Sequence, residues 1–267
     1  MTDRATGTAR TVSNNRYFQV FARGGYAVNA VLHLLIGGIA IGVASGAGGK
    51  ADQSGALESL ASRPGGVFML WAVVVGLVAL GLWQTIEAIL VPMQEEKRKW
   101  ARRVIELGKA VAYFGVAATA FTFASGGSSS SSSDTQSFSA TLIATPAGVV
   151  LLVTIGLAVV VIGGYFCAKG AKEKFREDIA VPSGKRGTAI VTLGKVGYIA
   201  KGIALAIVGI LFVIAAVTSD SSRATGLDGA LKALVELPFG AIILGLVGAG
   251  FVAFGLYSFA RARSARL

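Results

Sequence analysis

The sequence predicts an all-α, polytopic membrane protein with six transmembrane helices that form three tandem αα-hairpin repeats. Three observations lead to this fold class. Only 15% of the 267 residues are charged, whereas about 25% is usual in soluble globular proteins. Six apolar stretches each reach the roughly 20 residues that a helix needs to cross a bilayer core. Short sequence marks also recur at fixed spacings along the chain.

The six expected spans take up most of the chain. The second one is interrupted only near its end, by Gln84, Thr85 and Glu87. Buried helices of a large soluble protein are excluded, because six such stretches leave too little chain to cover them. The spans lie at about 23–45, 67–91, 104–125, 147–168, 193–217 and 239–260.

Lysine and arginine are distributed unevenly between the two sides of these spans. The terminal segments and the second and fourth loops hold 21 of the 25 basic residues. Since short cytoplasmic loops carry the excess of basic residues, both termini are expected in the cytoplasm of a bacterium, with the protein in its inner membrane. The net charge of +11 is therefore a topology signal. We expect these residues to contact anionic lipid headgroups, and we expect no nucleic-acid partner.

A pattern of Leu-x-x-x-Pro-x-Gly precedes each even-numbered span, and its copies are 82 and 92 residues apart. The same two spacings relate three aromatic residues near the far ends of those spans, which we expect at the membrane interface. A basic residue opens each odd-numbered span, at Arg23, Lys109 and Lys195. The repeat-defining residues are Pro64 and Gly66, Pro146 and Gly148, Pro238 and Gly240, and the aromatic residues Trp83, Tyr165 and Tyr257.

These marks divide the chain into a cytoplasmic tail and three hairpin repeats. Because every repeat holds two spans, all three have the same orientation, and we expect a pseudo-three-fold arrangement about the membrane normal. The tail comprises residues 1–20 and the repeats comprise 21–95, 96–180 and 181–267, the last ending in a short basic cytoplasmic tail.

The loops on the side away from the termini differ between repeats. Segments 55–63 and 229–237 carry leucine at helical spacing, so we expect short amphipathic helices lying on the outer surface and ended by proline. The second repeat has a serine-rich stretch, GGSSSSSSDTQSFS, at the same place. Its low complexity predicts a flexible insertion.

The chain resembles a known family of three-repeat actinobacterial membrane proteins, domain of unknown function 1206. The resemblance rests on the basic-x-Gly-Tyr openings, the GALxxL segments, the Pro-x-Gly turns and the GL[WY] span ends, and it covers residues 16–263. The second repeat lacks GALxxL and the Gly-Tyr pair. The resemblance implies an integral membrane protein and brings no catalytic residues with it.

We expect no catalytic residue, no cofactor and no metal site. The single cysteine, Cys167, and the single histidine, His33, exclude an internal disulfide, a multi-ligand Cys/His metal site and haem held by two histidines. No Ser/His/Asp order, nucleotide-binding loop or pair of carboxylates is present. Cys167 is expected to be structural or a palmitoylation site.

The candidate intramembrane polar site comprises Asn29, His33, Gln84, Glu87 and Lys201. Ionisable groups in the membrane are costly, so each is a functional candidate. Asn29 and His33 are four residues apart and share a helix face. A neutral, hydrogen-bonded histidine is the alternative for His33. We hypothesise that Glu87 pairs with Lys201, or failing that with Lys109; the alternative is that both side chains extend to the headgroups.

Glycines inside the spans predict close helix packing, as at the four-residue spacing of Gly38 and Gly42. Gly245, Gly248 and Gly250 lack the strand and turn of a nucleotide-binding motif, so packing is also expected there. The segment EEKRKWARR after the second span is expected to lie along the headgroups or to extend the third span.

For function, the sequence favours a non-enzymatic scaffold or accessory subunit of a bacterial membrane assembly. Few polar residues face inward, whereas small-residue surfaces suited to helix packing are abundant. Other membrane proteins or a second copy are the expected partners, besides lipid. The alternative is a small transporter or channel with a polar site around His33 and Glu87. An enzyme acting on lipid or quinone is least favoured, because paired acid–base groups are missing.

Overall fold

The computed structural model describes residues 16–90 and 96–264, which form nine α-helices and two short 3₁₀ turns. Arg4, Arg10 and Arg266, which contribute to the charge asymmetry, lie outside the described residues. The helices are α1 (Arg16–Ala44), α2 (Gln53–Ala61), α3 (Gly66–Leu90), α4 (Glu96–Ala124), α5 (Ser131–Ile143), α6 (Pro146–Ala171), α7 (Lys185–Thr218), α8 (Gly226–Val235) and α9 (Gly240–Ser264).

Six of these helices, α1, α3, α4, α6, α7 and α9, are long and apolar enough to cross a membrane. They correspond to the six expected spans, so the chain is an all-α, multi-pass membrane protein. The odd-numbered spans continue on the basic side, where α7 is 34 residues long and therefore about 51 Å at 1.5 Å per residue. The apolar stretch of each span ends at the edge of the bilayer, whereas the helix continues beyond it. From Glu96 onward the EEKRKWARR segment extends the third span.

The long helices form an incomplete ring. The second span of each repeat packs against the first span of the next repeat: α3 against α4, α6 against α7, and α9 against α1. Within repeats, α1 packs against α3 and α7 against α9. In the described part of the chain, α4 makes no extensive contact with α6 or α7. The ring is therefore open at the second repeat.

Glycines bring the backbones of neighbouring repeats together. A Cβ atom on Gly37 of α1 would lie 2.7 Å from the carbonyl oxygen of Gly248 of α9. A Cβ atom on Gly163 of α6 would lie 2.6 Å from the carbonyl oxygen of Gly202 of α7. The expectation for Gly38 is wrong, because a Cβ atom there would have nothing within 4 Å. The glycine that packs is one residue earlier and faces α9.

The Leu-x-x-x-Pro-x-Gly pattern forms the tight turn into each even-numbered span. A Cβ atom on its glycine would overlap the carbonyl oxygen of its leucine in all three repeats. These pairs are Gly66 with Leu60, Gly148 with Leu142, and Gly240 with Leu234. Pro146 is the first residue of α6, whereas Pro64 and Pro238 lie two residues before their helices.

The short helices α2, α5 and α8 form a cap over one end of the bundle. Leu57 and Leu231 are fully buried whereas Glu58 and Lys232 are exposed, so α2 and α8 are amphipathic and cover this end of the bundle with their leucine faces turned inward. The expectation of a flexible serine insertion is wrong, because Ser130 caps the N-terminus of α5, where its Oγ accepts a hydrogen bond from the Ser133 N–H. Serine and aspartate are unfavourable in helix interiors but are preferred at the N-terminal cap of a helix.

Hydrogen bonds between repeats hold the cap together. The Ala51 N–H donates to Asp228 Oδ1 over 2.8 Å, joining the first repeat to the third. The Ser131 N–H donates to Ser54 Oγ, and Gln136 Nε2 donates to the Ser222 carbonyl, each over 3.3 Å. At the cap edge, hydrogen bonds from Ser222 lower the pKa of the Asp220 carboxyl below its usual value.

The aromatic residues that mark the span ends differ in their exposure. Trp83 and Tyr257 are buried, at 4% and 0% exposure, and only Tyr165 is exposed, at 57%. The difference follows from the packing. The even-numbered helices α3 and α9 each contact both neighbouring spans, whereas α6 borders the opening in the ring.

We predict that Gly37→Ala destabilises the protein by about 1–3 kcal/mol, because the added methyl group would be forced against the α9 backbone. Gly38→Ala is the matched control and should change stability by less than about 1 kcal/mol. Thermal unfolding in a mild detergent measures both. Equal effects of the two substitutions would contradict the α1–α9 contact.

Candidate functional site

A cavity of about 150 Å³ lies inside the bundle beneath the cap. Helices α1, α4 and α7 provide most of its wall, and Gln53 of α2 and Leu227 of α8 belong to the cap. Among the residues singled out from the sequence, Asn29, His33 and Lys201 line this cavity. The rest of the lining is mainly aliphatic, so a small polar region is set in an apolar chamber.

His33 has a defined hydrogen-bonding state. Its Nδ1 lies 2.8 Å from the Asn29 carbonyl oxygen, which can only accept, so Nδ1 carries the proton. Its Nε2 lies 3.2 Å from Lys201 Nζ and must accept from that ammonium. The imidazole is therefore neutral, with one N–H donor and one acceptor, and its side chain is buried, at 6% exposure.

Lys201 contacts His33 and two aromatic rings. Its Nζ lies 4.5 Å from the ring centre of Phe254 and 5.7 Å from that of Phe166. Ring faces attract a cation at these distances. Lys201 is on α7 and His33 on α1, so this contact joins the third repeat to the first across the cavity.

The Glu87–Lys201 ion pair is not formed, because Lys201 extends to His33 instead. The alternative pair of Glu87 with Lys109 is not formed either, since Lys109 Nζ pairs with Glu106 of its own helix, at 2.8 Å. Gln84 and Glu87 of α3 do not line the cavity. Cys167 is also outside the lining; its Sγ lies 3.6 Å from the Ile199 carbonyl oxygen, which fits a packing role.

An aromatic cluster lies next to the polar site on the basic side. The rings of His33 and Phe254 are 4.7 Å apart, and Phe254 in turn contacts Tyr198 at 5.2 Å. Tyr198 stacks on the fully buried Phe175, from the turn Lys174–Asp178. The described residues thus place bulky rings between Lys201 and this turn.

Basic residues at the ends of two even-numbered spans cover tyrosines of the following repeat. Arg261 of α9 lies 4.6 Å from the ring centre of Tyr26 of α1. Lys169 of α6 lies 5.4 Å from the ring centre of Tyr198 of α7 and pairs with Asp178. Each tyrosine thus receives a cation from the repeat before it in the ring.

Sequence reasoning missed Tyr113 of α4, which lines the cavity. Tyr26 and Tyr198 follow their basic residues by three positions, but Tyr113 follows Lys109 by four. One residue turns a helix by about 100°, so the strict 86-residue spacing points to Ala112 instead. Allowing a one-residue shift would have found it.

The polar groups of the cavity lining belong to the Lys201 ammonium, the neutral His33 imidazole, the Tyr113 hydroxyl and the carboxamides of Asn29 and Gln53. The described residues contain no cluster of three or more His, Cys, Asp or Glu side chains that could hold a metal ion. Such a site can bind a hydrogen-bond acceptor or an anion.

We predict that Asp178→Asn destabilises the protein by about 1–3 kcal/mol, because it leaves the poorly exposed Lys169 ammonium without its carboxylate. Glu173→Gln removes the exposed Arg176 pair and should have little effect. Thermal unfolding of both variants in detergent measures the difference in their stability. A Glu173→Gln effect as large as that of Asp178→Asn would contradict this assignment.

Comparison with known proteins places these features in a family. The model of the Domain of Unknown Function (DUF1206) matches three segments, residues 24–90, 107–173 and 196–265. The Uncharacterized protein YxxB of Bacillus subtilis (strain 168) is 29% identical over 242 residues, which cover 89% of this chain and 88% of that protein. No solved structure matches the chain. An actinobacterial restriction is not supported, since this relative comes from Bacillus. The chain therefore belongs to the DUF1206 family, as a multi-pass membrane protein built from three repeated segments.

Proposed function

We propose that the protein is a non-enzymatic accessory subunit, or scaffold, of an assembly in the bacterial inner membrane. The observation that carries this proposal is an exposed small-residue face on α4, which has no partner helix within the described part of the chain. It comprises the exposed residues Gly108, Ala112 and Gly115 and the partly exposed Thr119, at helical spacings of four, three and four residues.

This face has the composition of a membrane helix interface. A Cβ atom on Gly108 or Gly115 would have nothing within 4 Å. The residue equivalent to Gly108 by the 86-residue spacing is Gly194 of α7, and a Cβ atom there would lie 2.5 Å from the Phe175 ring. In the third repeat this position is thus covered by the turn Lys174–Asp178, which ends the second repeat. Small residues let helix backbones approach closely in lipid, so α4 is suited to receive a helix from outside.

We also propose that the repeats are related by a pseudo-three-fold arrangement about the membrane normal. The even-to-odd packing of neighbouring repeats occurs three times and closes the third repeat on the first. The cation-on-tyrosine contact occurs twice around the same ring. The opening between α4 and α6 is then the place where one helix contact of this pattern is missing. A transmembrane helix of a partner protein would complete it.

The experiment tests whether a partner's transmembrane helix packs against the small-residue face of α4. Gly115→Leu should reduce recovery of a cross-linked partner from native membranes at least fivefold, because the leucine would fill the face that the partner's backbone contacts. Gly38→Leu, at another exposed glycine with nothing nearby, is the matched control and should leave recovery unchanged. If only second copies of this chain are cross-linked, the proposed hetero-assembly is wrong. Equal recovery from both variants would also contradict the proposal.

We propose that both termini lie in the cytoplasm, on the evidence of the basic residues at that side. A green fluorescent protein fused to either end should fluoresce in cells, and a thiol label added from outside should reach Ser222→Cys in the cap in a Cys167→Ser background. Labelling of Ser222→Cys only after the cells are opened would reverse the orientation.

A small transporter or channel is the second candidate, and the cavity at His33 favours it. In proteoliposomes, it predicts a proton or chloride flux that His33→Ala changes. The cap and the aromatic cluster flank the cavity at its two ends, so the accessory-subunit proposal predicts no flux above that of empty vesicles.

A further inference from the structure

Lys201 is a cation inside the membrane part of the bundle, and no carboxylate in the described part of the chain pairs with it. Among residues 16–90 and 96–264, its polar contact is the Nε2 atom of His33, at 3.2 Å. That nitrogen is uncharged, because Nδ1 carries the imidazole proton. The Phe254 and Phe166 rings give only partial compensation. An unpaired charge is costly in lipid, so the site is electrostatically incomplete.

We propose that this cavity binds the headgroup of an acidic amphiphile from the surrounding membrane. Its carboxylate or phosphate contacts the Lys201 ammonium, and its hydrocarbon chain passes out between α4 and α7. The proposal does not rest on the accessory-subunit function, because it is argued from Lys201 and His33 inside the bundle, although Ala112 belongs both to the cavity lining and to the small-residue face of α4.

The donors of the site suit an anion. A lysine ammonium has three N–H bonds, and His33 accepts one of them. The other N–H bonds remain for oxygen acceptors. Because Nε2 of His33 is already used as an acceptor, the imidazole orients Lys201 and does not compete for the ligand. His33 is therefore a positioning residue for the cation.

Access from lipid follows from the opening between α4 and α6, behind which α4 and α7 line the cavity without packing extensively against each other. Ala112 of α4 lines the cavity and is exposed. Tyr113 of α4 and Leu205 of α7, which line the cavity, are only partly buried. Since α4 makes no extensive contact with α7, a chain can pass between these helices without breaking a packed interface.

The size and lining of the cavity define the ligand class. Its volume of about 150 Å³ is well above the roughly 10–15 Å³ that a single water molecule requires, and it is enough for a carboxylate or a phosphate group. The remaining lining includes Leu32, Ile36 and Phe251, which contact a hydrocarbon chain favourably. The ligand is thus an amphiphile with one small anionic group.

The experiment uses the full chain in lipid nanodiscs of three compositions: phosphatidylcholine alone, and phosphatidylcholine with one-tenth phosphatidylglycerol or one-tenth oleic acid. At least one acidic amphiphile should raise the thermal unfolding midpoint of the wild type by several degrees, because ligands that bind the folded state stabilise it. A response to phosphatidylglycerol alone identifies a phosphate ligand, a response to oleic acid alone identifies a carboxylate, and a response to both supports the shared chemistry.

Three variants distinguish the cavity from general surface charge. Lys201→Met should lose the shift, whereas Lys195→Met, an exposed position on the same helix, should keep it. Ala112→Trp leaves the cation in place but narrows the cavity, so it should also lose the shift and covers the case in which Lys201→Met does not fold. No shift in the wild type, or the wild-type shift in both Lys201→Met and Ala112→Trp, would overturn the proposal.

Discussion

Close backbone contact between neighbouring repeats is the interaction on which this structure depends. Lipid tails are as apolar as leucine, so burial of apolar side chains does not by itself draw membrane helices together. Gly37 against Gly248, and Gly163 against Gly202, let the helices of different repeats approach closely enough for extensive packing. The tight turns at Gly66, Gly148 and Gly240 then set each returning helix beside its neighbour. The ring of repeats and the cavity inside it follow from these contacts.

The second repeat departs from its neighbours, and the candidate sites follow from that departure. Tyr113 stands one residue later than its equivalents, and α4 does not pack extensively against α6 or α7. One consequence is an exposed small-residue face on the outside of α4. The other is an opening toward the cavity that holds His33 and Lys201. A symmetric arrangement with three equal repeats would close both.

Much of the architecture could be predicted from sequence, because the bilayer directly constrains where apolar stretches and basic residues can lie. The six spans and the repeated turns are examples. Contacts between residues that are far apart in the sequence could be predicted less well. Depth alone suggested that Glu87 pairs with Lys201, but depth does not determine which helix face a side chain occupies, and Lys201 faces His33. Likewise, spacing identified Gly38 as a packing residue, whereas the adjacent Gly37 faces α9. The helix in the serine-rich segment depends on the cap around it.

Closure of the third repeat on the first can be measured directly by a disulfide between α9 and α1. A Cβ atom on Gly245 would lie 3.8 Å from the Cβ atom of Ala44, which is about the 3.8 Å separation found in disulfides. In a Cys167→Ser background, Ala44→Cys with Gly245→Cys should cross-link rapidly in oxidised membranes, and Gly115→Cys with Gly164→Cys, on α4 and α6, should not. Cross-linking of the second pair but not the first would contradict the ring of repeats.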